Sequence, residues 1–216
     1  MSNYNIILFD LDGTLSDPKV GITKSVQYAL EKFGISEPDL DKLEPFIGPP
    51  LEESFEKFYG FNEEQCKQGI AYYRERFKVK GLYENILFPE IPKLLEQLKA
   101  AGKVLVLATS KPTVFAEQIL QYFSIDHYFD LVIGSNLDGT RVAKAEIISH
   151  ILGELNSYDK QEFIMIGDRR HDIIGAHHTG IHSIGVLYGY GPLEEMQQAS
   201  PTYIVEDVRG ISGILL

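Results

Sequence analysis

The chain has 216 residues, 44% of them hydrophobic and 24% charged, a balance that suits one substantial core or a core carrying a smaller insert. A formal net charge of -11, with no Lys/Arg-rich run against it, argues against nucleic acid and anionic membrane as partners. The single cysteine, Cys66, excludes an internal disulfide framework and a thiolate-built zinc site.

The N-terminal residues lack the basic start and long apolar stretch of a signal peptide, and no apolar run is long enough to cross a bilayer. The expected setting is a reducing cytoplasm, with a monomer or homodimer as the working form.

Ile6-Ile7-Leu8-Phe9 reads as a short buried strand, because four apolar residues end at a Gly-containing turn. The turn is Asp10-Leu11-Asp12-Gly13-Thr14-Leu15. Two carboxylates spaced two apart at the exit of a strand are costly unless a cation or a proton sits between them.

From about Lys19 to Lys80 the pattern is helical, with no convincing strand. Val26, Leu30 and Phe33 fall at helical spacing, as do Leu51, Phe55 and Phe58, and then Ile70, Tyr73 and Phe77. Gly34, Gly48-Pro49-Pro50 and Gly60 mark the turns between them. Residues 16–82 are therefore expected to form an all-helical cap, inserted between residues 1–15 and the remainder of the core at 83–216.

From Tyr83 onward helix and strand alternate. A helix with Pro92 in its first turn and Ile91, Leu94, Leu95 and Leu98 on one face stops at Gly102. Val104 to Ala108 is expected as a strand and Thr113 to Phe123 as a helix; Leu131 to Ile133 follows as a strand and Lys144 to Leu155 as a helix. Phe163 to Ile166 is a strand, Asp172 to His178 a helix ended by Gly180, and Ile184 to Val186 a strand. A helix at Leu193 to Ala199 and a strand at Tyr203 to Val205 finish the pattern. This alternation predicts an α/β fold, a doubly wound parallel sheet with crossover helices on both faces.

Ligands of such sheets bind outside the carboxyl ends of the strands. Asp10 and Asp12 leave the first strand, Thr109-Ser110-Lys111 leave the strand ending at Ala108, and Gly167-Asp168 leave the strand ending at Ile166, with Asp172 four residues on. Lys144 opens a helix that can reach over the same edge. Acidic, hydroxyl and ammonium groups are thus expected on one rim.

These segments resemble, in order, the four motifs of the haloacid dehalogenase superfamily, and the insert resembles its type-one helical cap. Within the superfamily the likeness is to phosphoglycolate-phosphatase-like members, through Thr109-Ser110-Lys111-Pro112 and the run from Ile166 to Ala176. The resemblance implies a phosphatase acting on a small phosphorylated metabolite. Asp10 would be the nucleophile that forms an aspartyl-phosphate, and Asp12 the general acid and then the general base. Mg2+ would be held by Asp10, the backbone carbonyl of Asp12 and Asp168, with Asp172 orienting a water. The Thr109 hydroxyl and the Ser110 amide would bind phosphate, and Lys144 would balance charge on the transferring group. Phosphoglycolate is the substrate it suggests, with a nucleoside monophosphate or pyrophosphate as alternatives. A phosphoglucomutase-type transferase uses the same motifs. A dehalogenase is disfavoured, because Asp12 serves proton transfer to oxygen.

Each residue also has a plainer reading. Asp10 and Asp12 form an Asx-type turn, Asp172 is a natural helix N-cap, and Thr109 and Ser110 cap the helix after Pro112. Lys144 alone reads as a solvated helix end, and Arg169 and Arg170 as surface charges near the rim. A calcium loop fails, since Leu15 stands where such a loop needs Gly and Gly21 where it needs Glu. His171, His177, His178 and His182 match no metalloprotease spacing. Tyr72, Tyr73 and Phe77 read as cap core. Arg74 among them is either solvated or a cation for a substrate carboxylate or phosphate. A carboxylate substrate predicts such a cation in the pocket; a nucleotide predicts an aromatic wall.

Overall fold

The structure, a computed structural model, describes residues 4–216. Its centre is a six-stranded parallel sheet of β1 (Ile6–Phe9), β4 (Val104–Pro112), β5 (Leu131–Ser135), β6 (Phe163–Gly167), β7 (His182–Val186) and β8 (Tyr203–Val205). The spatial order is β5-β4-β1-β6-β7-β8. β1 lies between β4 and β6, with Ile6 beside both Val104 and Phe163, so its acidic exit falls at the middle of the rim.

Alternation along each strand divides the core between two faces. Ile7, Phe9, Leu105, Leu107, Ile164 and Ile166 point to one side. There they meet α4 (Ile91–Ala100), α5 (Thr113–Tyr122) and α9 (Val208–Leu215). Ile6, Leu8, Val106, Ala108 and Met165 point to the other, against Ile147, Ile148 and Ile151 of α6 (Lys144–Glu154) and Ala176 of α7 (Arg170–Thr179). Burial on both faces explains why these strands read as unbroken apolar runs. One further helix, α8 (Leu193–Ala199), precedes β8.

Between the acidic turn and β4 the chain forms α1 (Lys19–Lys32), a 3-10 turn over Leu40–Phe46, α2 (Leu51–Tyr59), α3 (Glu63–Arg76) and a π-helical turn over Phe77–Gly81. Asn62 caps α3 through a reciprocal pair with Gln65, and Gly60 ends α2 at a φ of 64°. Val26, Leu30, Phe55, Tyr73 and Phe77 are buried as their spacing predicts. Phe58 is not: it is 43% exposed and lies over Phe46 at 5.7 Å between ring centroids. The apolar side chains of these helices are continuous with the core on the α4 face of the sheet.

Where helices alone were expected, the insert is flanked by two short strands, β2 (Ser16–Asp17) and β3 (Ile86–Leu87), paired antiparallel. Two residues per strand are too few for a period-two pattern to register. α9 was also unforeseen; Gly210 and Gly213 depress its helical signal, while the Asp207 side chain accepts from the Gly210 N–H and starts it. β4 runs on to Pro112 and α7 begins at Arg170, each beyond its expected bound. No helix among the described residues is long and apolar enough to cross a membrane.

Candidate active site

The turn after β1 is shaped by Gly13, whose φ of 82° few other residues adopt. A Cβ there would run into the Asp168 carboxylate, so the glycine also admits Asp168 beside the turn. Asp168 leaves the end of β6, and its Oδ2 accepts from the Tyr190 N–H at 2.8 Å. The Thr14 hydroxyl reaches its Oδ1 at 3.4 Å. Asp172 sits in the first turn of α7, where its Oδ2 accepts from the Arg169 N–H at 3.1 Å. Asp172 is therefore not the N-cap that its sequence suggested: Arg169 holds that place, Asp172 reaches back to it from the third helical position, and one oxygen is left over.

Lys144, the first residue of α6, turns its ammonium inward. It lies 3.0 Å from Asp10 Oδ1 and 2.8 Å from Asp172 Oδ1, and donates to the Ala108 carbonyl at 2.8 Å. It is buried, not a solvated helix end. Asp10, Asp12, Thr109, Lys144, Asp168 and Asp172 are all buried around the carboxyl ends of β1, β4 and β6.

Asp10, Asp168 and Asp172 each offer one oxygen, all within 4.8 Å of one another. Three buried carboxylates face one ammonium, which leaves the group short of positive charge. Oδ1 of Asp10, Asp12 and Asp172 is buried without a hydrogen bond; Lys144 meets two of these at ion-pair distance but without hydrogen-bond directionality. Oxygen donors, orphaned lone pairs and surplus negative charge fit a hard divalent cation. The group contains no histidine, so His171, His177, His178 and His182 contribute nothing to it.

The titration of these groups reflects the same crowding. Burial, then Asp172 and Asp10, hold the Asp168 carboxyl well above the usual range. Burial pushes Asp172 up to about 6 despite Lys144. Burial would lower the Lys144 ammonium, but Asp10 and Asp172 outweigh it and raise it. Asp12 is also raised by burial, against the opposing pull of Lys111.

Beside this cluster opens a cavity of about 510 Å³. Asp10, Asp12, Thr109 and Ser110 line its inner end, and Phe46, Tyr73, Phe77 and Phe115 form much of its wall. Tyr73 and Phe77 thus belong to the core and to the cavity together. The Ser110 hydroxyl donates to the Val142 carbonyl at 3.0 Å. Arg74 reaches the cavity, half-buried, but its Nη1 donates to the Leu137 carbonyl at 2.9 Å and spans from α3 to the loop after β5.

Three features escaped sequence reasoning. Lys111, expected on the rim but given no partner or role there, is buried, with its Nζ 2.8 Å from Asp12 Oδ2. Arg169 is not a surface charge: it pairs with Glu195 at 3.0 Å and donates to the Ile47 carbonyl of the insert. Arg170 is the more exposed of the pair, 3.5 Å from Glu53 of α2. The loop after β7 was given no role, yet the Tyr188 hydroxyl donates to the Thr14 carbonyl at 2.9 Å and the Tyr190 hydroxyl to Asp17.

The chain matches the family of haloacid dehalogenase-like hydrolases over residues 7–186. It is 49% identical over 212 residues to a 5'-nucleotidase of Pseudomonas aeruginosa, covering 98% of this chain and 96% of that protein. It is 30% identical to a phosphoglycolate phosphatase of Pasteurella multocida, with both chains covered in full. A crystal structure described as a predicted phosphatase from Clostridium acetobutylicum superimposes with a TM-score of 0.95 at 48% identity, covering 97% of each chain.

Proposed function

The chain belongs to the haloacid dehalogenase-like hydrolases, and from that membership we propose that it hydrolyses a small phosphate monoester through a phosphorylated Asp10. The observation that carries this is the Asp10 carboxylate, buried at the inner end of the cavity and paired with Lys144. In the first step an Asp10 oxygen attacks phosphorus and the ester P–O bond breaks, its electron pair staying on the leaving oxygen. Asp12 donates a proton to that oxygen, and the alcohol departs. In the second step water gives a proton to Asp12 and attacks the phosphoryl group. The bond to Asp10 breaks, inorganic phosphate is released, and both carboxyls return to their starting states.

A divalent cation, Mg2+ by the all-oxygen donor set, would be held by Asp10, the Asp12 carbonyl and Asp168, and would offset charge on the transferring group. Asp172 would orient a water beside that cation, Thr109 and Ser110 would receive the phosphate oxygens, and Lys144 would balance Asp10. Residues 16–82 act as the cap over the site that residues 1–15 and 83–216 build, keeping bulk water out of it.

A nucleoside monophosphate is the substrate class we favour. About 510 Å³ walled by Phe46, Tyr73, Phe77 and Phe115 is generous for a two-carbon acid and suits a planar base. The 5'-nucleotidase relative supports the same class. Phosphoglycolate is the second reading, favoured by Arg74 at the cavity wall and by the phosphoglycolate phosphatase relative.

Phosphate release from nucleoside monophosphates, phosphoglycolate, sugar phosphates and pyrophosphate, with Mg2+ and with excess EDTA, tests this. The expected result is the highest kcat/KM on a nucleoside monophosphate, lost on chelation. Release without a bisphosphate activator separates a hydrolase from a phosphoglucomutase-type transferase. Silence across the panel, or full activity in EDTA, refutes the proposal.

A further inference from the structure

The two oxygens of Asp12 have different surroundings. Oδ2 lies 2.8 Å from Lys111 Nζ, while Oδ1 is buried without a hydrogen-bond partner. Lys111 has side-chain exposure of only 6%, and among the described residues its one ion-pair partner is Asp12. Its ammonium also stands 4.4 Å from the centroid of the Phe77 ring. Lysine is rarely buried, and a buried ion pair is a poor source of stability, because removing two charges from water costs much of what their attraction returns. Such a pair suits placement better than stabilisation.

Phe77 does not come from the same part of the chain as Lys111. It opens the π-helical turn after α3, where the insert returns toward the core. Its ring stacks on Tyr73 of α3 at 5.1 Å and meets Phe115 of α5 edge-on at 5.8 Å. The position of the insert therefore sets the position of the ring, and among the described residues the ring and Asp12 are the two groups recorded against the ammonium.

We propose that Lys111 is a positioning residue for Asp12: held by the insert's Phe77, it anchors Oδ2 and so sets the orientation in which the carboxyl meets the leaving group. This rests on the reading of Asp12 as the proton donor. It adds a link which the four motifs do not contain. With the insert seated, ring, ammonium and carboxylate line up; with the insert displaced, the ammonium loses its ring and Asp12 its anchor. Proton donation is thereby confined to the closed cavity.

The inference is tested through leaving-group dependence, which a purely structural role would not alter. A nitrophenyl leaving group departs with little need of a proton, whereas an alkoxide needs one, and kcat/KM reports the step in which it leaves. Lys111→Met should raise the ratio of kcat/KM for p-nitrophenyl phosphate to that for an alkyl monoester by about tenfold or more, within the range that one general acid supplies. Lys111→Arg, which can still pair with Asp12 and face the ring, should restore most of the original ratio. Phe77→Leu, with Lys111 intact, should shift the ratio in the same direction by a smaller factor and keeps the test open if Lys111→Met folds poorly. Equal losses on both esters in Lys111→Met and Phe77→Leu overturn the proposal. Asp12→Asn is the control: if it leaves the ratio unchanged, the proton-donor reading itself falls; if it raises the ratio while the other two do not, only the role of Lys111 falls.

Discussion

Lys144 holds its ammonium 3.0 Å from the Asp10 carboxylate, and the same ammonium lies 2.8 Å from Asp172. One cation thus stands between two buried acids that would otherwise repel each other. Lys144→Met should remove that balance and destabilise the fold by about 3–5 kcal/mol, the usual effect of breaking a buried pair from one side. Turnover should fall by about 100-fold or more, as when a placed charge is withdrawn from a transition state. Thermal unfolding with and without Mg2+ checks the first claim: the loss of Tm should be smaller with the cation present. An equal loss in both conditions argues that no cation shares the site.

Asp10→Asn addresses the nucleophile. Turnover should drop below about one-thousandth of the original, since an amide cannot take the covalent role. The fold should persist, and unfolding in EDTA should come at the same or a higher temperature, because one of three crowded carboxylates has lost its charge. Phosphate release near the original rate would refute the assignment.

The pH dependence of stability follows from Asp172. Its folded carboxyl is raised to about 6 from an ordinary value of 3.8, so the folded state keeps a proton that the unfolded chain has lost. The stabilisation is complete below about pH 4 and is lost as pH rises to about 6, because the folded state binds more protons in that window. In EDTA the difference in unfolding free energy between the protein and Asp172→Asn should fall across this interval by roughly 2 kcal/mol. Urea unfolding at a series of pH values measures it. A difference that rises with pH would have the wrong sign.

Gly13→Ala should be damaging out of proportion to its size. The φ of 82° alone costs a residue with a Cβ about 1–3 kcal/mol, and that Cβ points at the Asp168 carboxylate. If Asp168 holds a cation, its displacement should raise the Mg2+ concentration needed for half-maximal activity. A titration of activity against Mg2+ reads this directly. An unchanged midpoint would separate Asp168 from cation binding.

The sheet was legible because β1, β4 and β6 are buried on both faces and carry unbroken apolar runs. Asp10, Asp12, Thr109, Lys144, Asp168 and Asp172 were legible because each follows or faces a strand end on the same rim. β2 and β3 were not, since a pairing of two residues leaves no periodic trace. Lys111 and Arg169 were hidden for a different reason. The sequence set Lys111 on the rim and Arg169 near it, but their partners, Asp12 and Ile47, are far away in the chain, so neither pairing could be read. Arg74 illustrates the converse: the sequence left it either solvated or a cation for substrate, and a backbone carbonyl at Leu137, which no side-chain pattern announces, takes its hydrogen bond at the cavity wall.

The antiparallel pairing of Ser16–Asp17 with Ile86–Leu87 makes the outgoing and returning chains leave the acidic rim side by side. A stem of this kind works as a grafting point. Segments lengthened, shortened or exchanged beyond it would change what the chamber admits while leaving the spacing of Asp10 to Asp168 untouched. The stem thereby separates the residues that fix the acidic rim from those that shape the space above it.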